Sequence, residues 1–193
     1  MRISSRVYLE LKRQLFHLAM GMCIATGVFY LMPLVGLWIL LPLILAIIIM
    51  ITIGALAIKH KIVDFLMFHF ERDKEIREFP FRGAIWYGIG IIFPIALMPT
   101  NVACAIIAVL SIGDSVSTVI GKTCGKIKIG MRTLEGSLAF LAFGFFGALI
   151  FVNMQTALAL AITGAVVELV SPWDDNLMIP LVLSLAYALV NLV

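Results

Sequence analysis

The chain has 193 residues, of which 63% are hydrophobic and 13% are charged, and its mean hydropathy is +1.13. Its formal net charge is only +3 at pH 7. This composition excludes an ordinary soluble domain, because apolar runs near the length of a membrane span recur along the chain. We therefore predict an all-α polytopic membrane protein, since helices satisfy their own backbone hydrogen bonds in lipid.

The apolar windows predict about seven transmembrane helices, with a break between the first two at Pro33. The last few of these spans are close to the lower length limit for crossing a bilayer. In chain order the predicted spans cover residues 15–32, 35–58, 84–100, 102–121, 136–152, 155–171 and 177–193.

The positions of the basic residues predict how these spans are oriented. If the spans alternate, the N-terminus and the loops 59–82, 121–135 and 171–176 lie on one side of the membrane. All 14 Lys and Arg residues then lie on that side, and the opposite connections carry none. The positive-inside rule places the N-terminus and every polar loop in the cytoplasm, and the C-terminus outside.

A polar face marks the beginning of the first span. Glu10, Arg13 and His17 are spaced so that they lie along one side of a helix. One interpretation is an interfacial helix end, with Arg13 reaching the headgroups and His17 at the water boundary. The other is a role in orienting a lipid headgroup or a phosphate, and the spacing leaves both open.

The segment 59–82 is predicted to form an amphipathic helix on the cytoplasmic face that ends before Pro80. Its charged residues crowd the C-terminal half. The segment is either a solvated connector with a lipid-facing stripe or a lid over the site described next. The stripe consists of Ile62, Phe65, Leu66, His69 and Phe70.

A polar insert interrupts the apolar sequence between Gly113 and Ser137. An ionisable side chain within reach of hydrocarbon is costly, which makes Asp114 a functional candidate. If the helix continues, small residues recur every four positions on one face and suit tight helix contacts. These residues are Gly113, Ser117, Gly121 and Gly125.

The adjacent face of the same predicted helix is polar. A carboxylate followed by hydroxyl and ammonium groups suits a polyphosphate bound with a metal ion. Mg²⁺ takes one or two protein carboxylates together with phosphate oxygens, and Lys supplies point charge to phosphates. The residues with this spacing are Asp114, Thr118, Lys122 and Lys126.

Two further polar segments follow. Thr133, with Gly136 or Ser137, fits either a plain N-cap of the fifth span or an anion site at a helix N-terminus. Glu168 ends an apolar run, and the segment 174–176 opens the seventh span. One interpretation is that Asp174, Asp175 and Asn176 only cap the seventh span from a short acidic loop. The other is that these carboxylates have a cationic partner, either a divalent cation or the bases of the 121–135 loop.

Taken together, these blocks resemble the polyprenol kinase family, which contains dolichol kinase, phytol kinase and a CTP-dependent diacylglycerol kinase. Two departures stand out, because members commonly have Lys at the positions of Gln14 and Arg132, and only Arg keeps the charge. The resemblance covers nearly the whole chain. Its blocks are E-x-x-R-x-x-x-H from Glu10, G-D-x-x-[small]-x-x-x-G-x-x-x-G from Gly113, T-x-E-G-S from Thr133, Glu168, and D-N-x-x-[IV]-P from Asp175.

The resemblance implies a single integral membrane catalytic domain over residues 1–193. It implies transfer of the γ-phosphate of CTP to the hydroxyl of a membrane lipid alcohol, with Mg²⁺. Dolichol or another polyprenol is the first choice of acceptor, and diacylglycerol or a shorter isoprenoid alcohol is the alternative. The active site would lie on the cytoplasmic side of the plasma membrane in a prokaryote, or of the endoplasmic reticulum in a eukaryote.

The same resemblance assigns roles to residues, and we expect their acids and bases to converge on one pocket. Asp114, Glu168 and Asp175 would be catalytic and bind the metal, with Asp114 holding it or accepting the hydroxyl proton. Glu10, Arg13 and His17 would orient the substrate or its headgroup. The nucleotide would be bound by Ser117, Gly121, Lys122, Gly125, Lys126, Arg132, Thr133, Glu135, Gly136, Ser137 and Asn176.

Other classes of protein remain as alternatives. A small ion-coupled transporter would use Asp114 and Glu168 as coupling carboxylates near the bilayer midplane. A non-catalytic scaffold with the same fold is the third alternative. The clustering of acids on one predicted side, without an internal repeat, favours the kinase. We expect CTP and a lipid as partners and no nucleic acid, and the sequence leaves the oligomeric state open.

Overall fold

The computed structural model describes residues 5–71 and 73–191. Arg2 and Arg72, which contribute to the predicted charge asymmetry, lie outside the described residues, as do residues 192–193 of the predicted seventh span. Helices make up most of the described chain, which confirms the predicted helical fold class.

The described helices and strands follow one another in a simple order. The first half contains α1 (Ser5–Val35), a 3-10 turn (Gly36–Ile39), α2 (Leu40–Leu56), α3 (Lys61–Phe70), α4 (Asp73–Glu78) and α5 (Arg82–Leu97). The second half contains α6 (Thr100–Ala108), a π turn (Val109–Asp114), α7 (Ser115–Thr123), β1 (Lys128–Ile129), β2 (Arg132–Thr133), α8 (Leu134–Leu149), α9 (Met154–Val170) and α10 (Asp175–Asn191).

The predicted break at Pro33 is wrong. Helix α1 continues past Pro33 to Val35, and a 3-10 turn then separates it from α2. Gly36 has a φ of +56°, a left-handed conformation that glycine adopts without steric cost from a Cβ atom. The glycine, rather than the proline, therefore ends the first long helix.

The segment 59–82 forms two helices instead of the single helix that was predicted. Helix α3 ends where Glu71 takes an extended conformation, and α4 ends at Glu78, before Pro80. His60 caps α3 by accepting a hydrogen bond from the backbone N–H of Ile62 at 3.3 Å. Ile62 and Phe65 of the predicted stripe are exposed. Leu66 instead packs against the cluster around Val63, and the Phe70 ring stacks on Phe16.

The centre of the bundle is the continuous stretch made by α6, the π turn and α7. Every residue from Val102 to Ser111 is buried. Phe140 of α8 is fully buried against this stretch, in a space that glycines leave open. A Cβ atom added at Gly113 or Gly164 would lie 3.0 or 2.9 Å from the Phe140 ring. The absence of these side chains lets α8 and α9 pack closely against the central stretch.

Among the described residues, two continuous helical stretches are long and apolar enough to cross a membrane: Val7–Leu56 and Thr100–Thr123. In the first stretch, most residues of the most apolar window are not buried inside the protein. In the second stretch, most residues of that window are buried. The helices α5, α8, α9 and α10 are also apolar but shorter.

Candidate functional site

A polar cavity of about 350 Å³ lies where the ends of several helices meet the β1–β2 hairpin. Its described lining contains three arginines and five acidic residues. Six of the residues singled out from the sequence are on this lining: Arg13, Asp114, Thr118, Arg132, Asp175 and Asn176. They come from four separate parts of the chain, so the predicted convergence is observed for these residues, while Lys122, Lys126 and Glu168 are not on the described lining.

Arg132 links the hairpin to the start of α10 and the end of α9. Its Nη2 donates to Oδ2 of Asp175, and its Nε lies 3.7 Å from Oε1 of Glu168. Burial alone lowers the pKa of Arg132, but the carboxylates of Asp175, Glu168 and Asp114 more than reverse this, so the pKa is raised. The guanidinium group therefore stays charged at the edge of the cavity.

Several buried polar atoms on the cavity lining have no hydrogen-bond partner within the described chain. They are Nε of Arg13, Oδ1 of Asp175 and Oδ1 of Asn176. Buried polar atoms are nearly always satisfied in folded proteins, by protein groups, water or a ligand. The cavity therefore offers both donor and acceptor positions to a polar ligand.

Asp114 reaches the cavity from the end of the π turn, and Thr118 lies one turn further along the same face. Two hydroxyl contacts fix this turn. Ser115 Oγ donates to the backbone carbonyl of Gln14 at 3.0 Å, and Ser111 Oγ lies 2.9 Å from the Tyr87 hydroxyl. Because a π turn is rare and is commonly found at functional sites, its position beside Asp114 supports a role for this carboxylate.

The polar face of α1 divides into two parts. Arg13 lines the cavity and lies 3.6 Å from Glu75 of α4. Glu10 bridges Nη2 of Arg13 at 3.2 Å and Nζ of Lys122 at 2.8 Å, which ties α1 to α7. The His17 ring meets the Tyr87 ring edge-on, with centroids 4.8 Å apart. Arg13 is therefore the residue of this face that lines the cavity. Glu10 and His17 are not among the described lining residues.

Glu168 was predicted to bind the metal ion, and in the structure it lies next to Arg132 without being among the described lining residues. Its side chain is buried, accepts hydrogen bonds from Ser137 at 3.0 Å and Ser117 at 3.5 Å, and faces Arg132. The described lining of the cavity also does not include the two serines that donate to Glu168. The two serines therefore hold the Glu168 carboxylate in place, and that carboxylate in turn pairs with Arg132.

The small residues predicted to bind nucleotide make helix contacts in the structure. Thr133 caps α8 by accepting from the Gly136 N–H at 3.2 Å, as the N-cap interpretation predicted. A Cβ atom added at Gly121 would lie 3.0 Å from Thr133 Oγ1. One added at Gly136 would lie 3.1 Å from the Ser117 carbonyl. These glycines let α7 and the start of α8 approach each other.

The predicted four-residue repeats do not extend to Gly125 and Lys126, because α7 ends at Thr123. Both residues lie in the loop before the hairpin, where Lys126 is exposed. Glu135 braces this loop by accepting from the Ile127 N–H at 3.3 Å. In the described part of the chain, the loop residues do not reach the cavity lining.

Other lining residues were absent from the predicted site. Glu75 and Glu78 come from α4, and Arg82 from the start of α5. Their position fits the interpretation of the 59–82 segment as a lid, since its charged half closes one side of the cavity. The crowding of charge at that end of the amphipathic segment was the sequence signal that could have identified them.

The carboxylates on the lining fit a metal ion that is bound together with phosphates. Within residues 5–71 and 73–191, no three Asp, Glu, His or Cys side chains form a group that could hold a metal ion by themselves. Mg²⁺ commonly takes only one or two protein carboxylates and completes its shell with phosphate oxygens and water. Asp114 and Asp175, with its unpaired Oδ1, can supply such a pair.

No protein-family model, no curated protein and no solved structure matches this chain. The cavity itself limits the chemistry that is possible. Its guanidinium groups can neutralise a multiply charged anion, and its carboxylates can hold a cation or accept a proton. Both capabilities meet in one space of about 350 Å³, which is within the range that small-molecule ligands occupy.

Proposed function

We propose that this protein is an integral membrane phosphotransferase that moves the γ-phosphoryl group of CTP to the hydroxyl group of a membrane lipid alcohol. The observation that carries the proposal is the convergence of Arg13, Arg132, Asp114 and Asp175 on one cavity. A polyprenol such as dolichol is the first choice of acceptor. The choice of CTP and of a polyprenol rests on the sequence resemblance to polyprenol kinases.

The exposed surface of the bundle supports a membrane location. Leu41, Ile44, Leu45 and Ile48 of α2 all have exposed side chains. Soluble proteins rarely expose a contiguous apolar surface of this kind, whereas a lipid environment requires it. We propose that the seven apolar segments cross the bilayer, with the N-terminus and the polar cavity on the cytoplasmic side, as the distribution of basic residues indicates.

Phosphoryl transfer depends mainly on positioning and on neutralising charge. In the proposed mechanism, Arg13 and Arg132 bind the phosphate oxygens. Asp114 accepts the proton that the lipid hydroxyl loses as its oxygen bonds to the γ-phosphorus. The bond from the γ-phosphorus to the bridging oxygen breaks, and CDP leaves. Mg²⁺, when bound, would be held by Asp175 and Asp114 and would neutralise the charge of the polyphosphate.

The experiment that tests this function offers γ-labelled CTP or ATP, with Mg²⁺, to the detergent-solubilised protein together with a panel of lipid alcohols. We expect transfer of label to a polyprenol, with CTP as the better donor. CTP with Mg²⁺ should also raise the melting temperature, because a ligand of the folded state stabilises it. Failure to label any alcohol from either donor would reject the proposal.

A further inference from the structure

A second cavity, of about 400 Å³, lies beside the polar one and has a different character. Its described lining is mainly apolar and includes Phe79, Ile85 and Trp86. Glu78 and Arg82 line both cavities. An apolar chamber therefore shares a wall with the cavity that holds the arginines and carboxylates.

The apolar chamber is built into the fold. The Phe79 ring packs over Gly54 of α2, where an added Cβ atom would lie only 3.0 Å from the ring. Ile85 is buried in a cluster with Ile47 and Val63, and Phe79 packs against that cluster. The glycine on α2 thus makes room for the ring that forms one side of the chamber.

The two residues that line both cavities form an exposed ion pair. Nη1 of Arg82 lies 3.5 Å from Oε2 of Glu78, and the two side chains are 54% and 49% exposed. Glu78 ends α4 and Arg82 begins α5, so the pair spans the connection between two helices. Exposed ion pairs contribute about 0.2–1 kcal/mol, so this contact alone is weak enough for a ligand's hydroxyl group to replace it. A hydroxyl group that entered between them would find donors and acceptors in both side chains.

We propose that the apolar chamber holds the hydrocarbon nearest to the hydroxyl group of the lipid alcohol, while the hydroxyl passes between Glu78 and Arg82 into the polar cavity. This inference rests on the proposed function and adds the place and direction of acceptor binding. The occupant that fits is an amphiphile with one small polar end, because the chamber is mainly apolar and its two charged lining residues, Glu78 and Arg82, also line the polar cavity.

The size of the chamber sets what is recognised. A volume of about 400 Å³ is typical of a pocket for a drug-sized ligand, so the lining residues contact the first part of a long chain. The remainder stays in the bilayer. The structure of the alcohol close to its hydroxyl therefore determines selectivity, and total chain length has little effect once the chamber is filled.

The test uses a lipid alcohol with a photoreactive diazirine a few carbons from its hydroxyl, added to the full-length protein in detergent. We expect crosslinks on the peptide that contains residues 79–86, and competition by an unlabelled polyprenol. Trp86→Ala should reduce this crosslinking and raise the KM for the alcohol about tenfold, the effect of losing about 1.4 kcal/mol of binding. The KM for the nucleotide should be unchanged.

Trp38→Ala is the matched control, because Trp38 is 77% exposed and belongs to the 3-10 turn. It should alter neither the crosslinking nor either KM. Crosslinks outside residues 79–86, or none that unlabelled polyprenol displaces, would overturn the inference. Crosslinking of the wild-type protein requires neither catalytic turnover nor a folded variant. It therefore tests the place of lipid binding even if no phosphate transfer is found and the proposed function is rejected.

Discussion

Arg132 donates a hydrogen bond to Asp175, a residue 43 positions further along the chain, and its Nε faces the buried Glu168. This contact joins the β1–β2 hairpin to the ends of α9 and α10. An acid that loses such a partner in a buried position is left with an uncompensated charge. The geometry of the cavity wall therefore depends on the guanidinium group.

Replacing Arg132 by Met should lower kcat/KM for the nucleotide by about 10³-fold or more, the range measured for arginines that stabilise a transferring phosphoryl group. Arg132→Lys should retain more activity, because it keeps the charge but loses the planar arrangement of donors. Steady-state kinetics check both variants. Lys128→Met removes a positive charge from an exposed position of the same hairpin and should have little effect.

Asp114→Asn should reduce kcat by about 10² to 10⁴-fold, the usual contribution of a group that accepts a proton in the transition state. The melting temperature should not fall, because the amide fits the same space without a charge to bury. The measurement is turnover with saturating nucleotide. Asp64→Asn, on the exposed face of α3, is the control and should be as active as the wild type. Near-normal turnover of Asp114→Asn would refute its role.

The dependence of activity on Mg²⁺ separates the roles of Asp175 and Glu168. Asp175 lines the cavity with one oxygen unpaired among the described residues, whereas Glu168 is bonded to two serines and faces Arg132. Asp175→Asn should raise the Mg²⁺ concentration for half-maximal activity about tenfold or more. Glu168→Gln should leave it unchanged and raise the KM for the nucleotide. A large shift in Glu168→Gln would instead indicate that this carboxylate binds the metal.

Close packing around Phe140 predicts a stability effect that is separate from catalysis. Gly164→Ala should destabilise the protein by about 1–3 kcal/mol, because the added methyl group would lie 2.9 Å from the Phe140 ring. Gly27→Ala is the matched control within α1, where no described atom lies within 4 Å of the added Cβ. Thermal unfolding in detergent should show a lower melting temperature for the first variant and no decrease for the second.

The sequence predicted the longer helices well because they contain apolar runs, but it predicted α3 and α4 as one helix and placed the first break at Pro33. The resemblance implied that Arg13, Asp114, Arg132 and Asp175 would meet, and the predicted topology placed all four near one side of the membrane. That argument concerns only which end of the bundle a residue occupies. It therefore could not distinguish Asp175, on the cavity lining, from Glu168, which lies behind Arg132.

Other features depend on contacts that no local pattern reveals. Lys122 was predicted to bind phosphate because it stands one turn beyond Thr118, yet its ammonium group lies 2.8 Å from Glu10 on another helix. The lining residues Glu75 and Arg82 belong to a segment held by contacts with distant parts of the chain. Glu75 faces Arg13 of α1, and Val63 of α3 clusters with Ile85 of α5. Periodicity along one helix cannot report such pairings between elements.

The π turn between Val109 and Asp114 sets the rotation of α7 relative to α6. Such a turn accommodates one residue more than an α-helical turn, and deleting that residue would rotate α7 by about 100° relative to α6. Thr118 would then leave the cavity while the bundle stayed apolar and helical. A homologue with a single-residue gap in this turn would thus be expected to keep the architecture and lose the chemistry, so the placement of that gap is itself a marker of function.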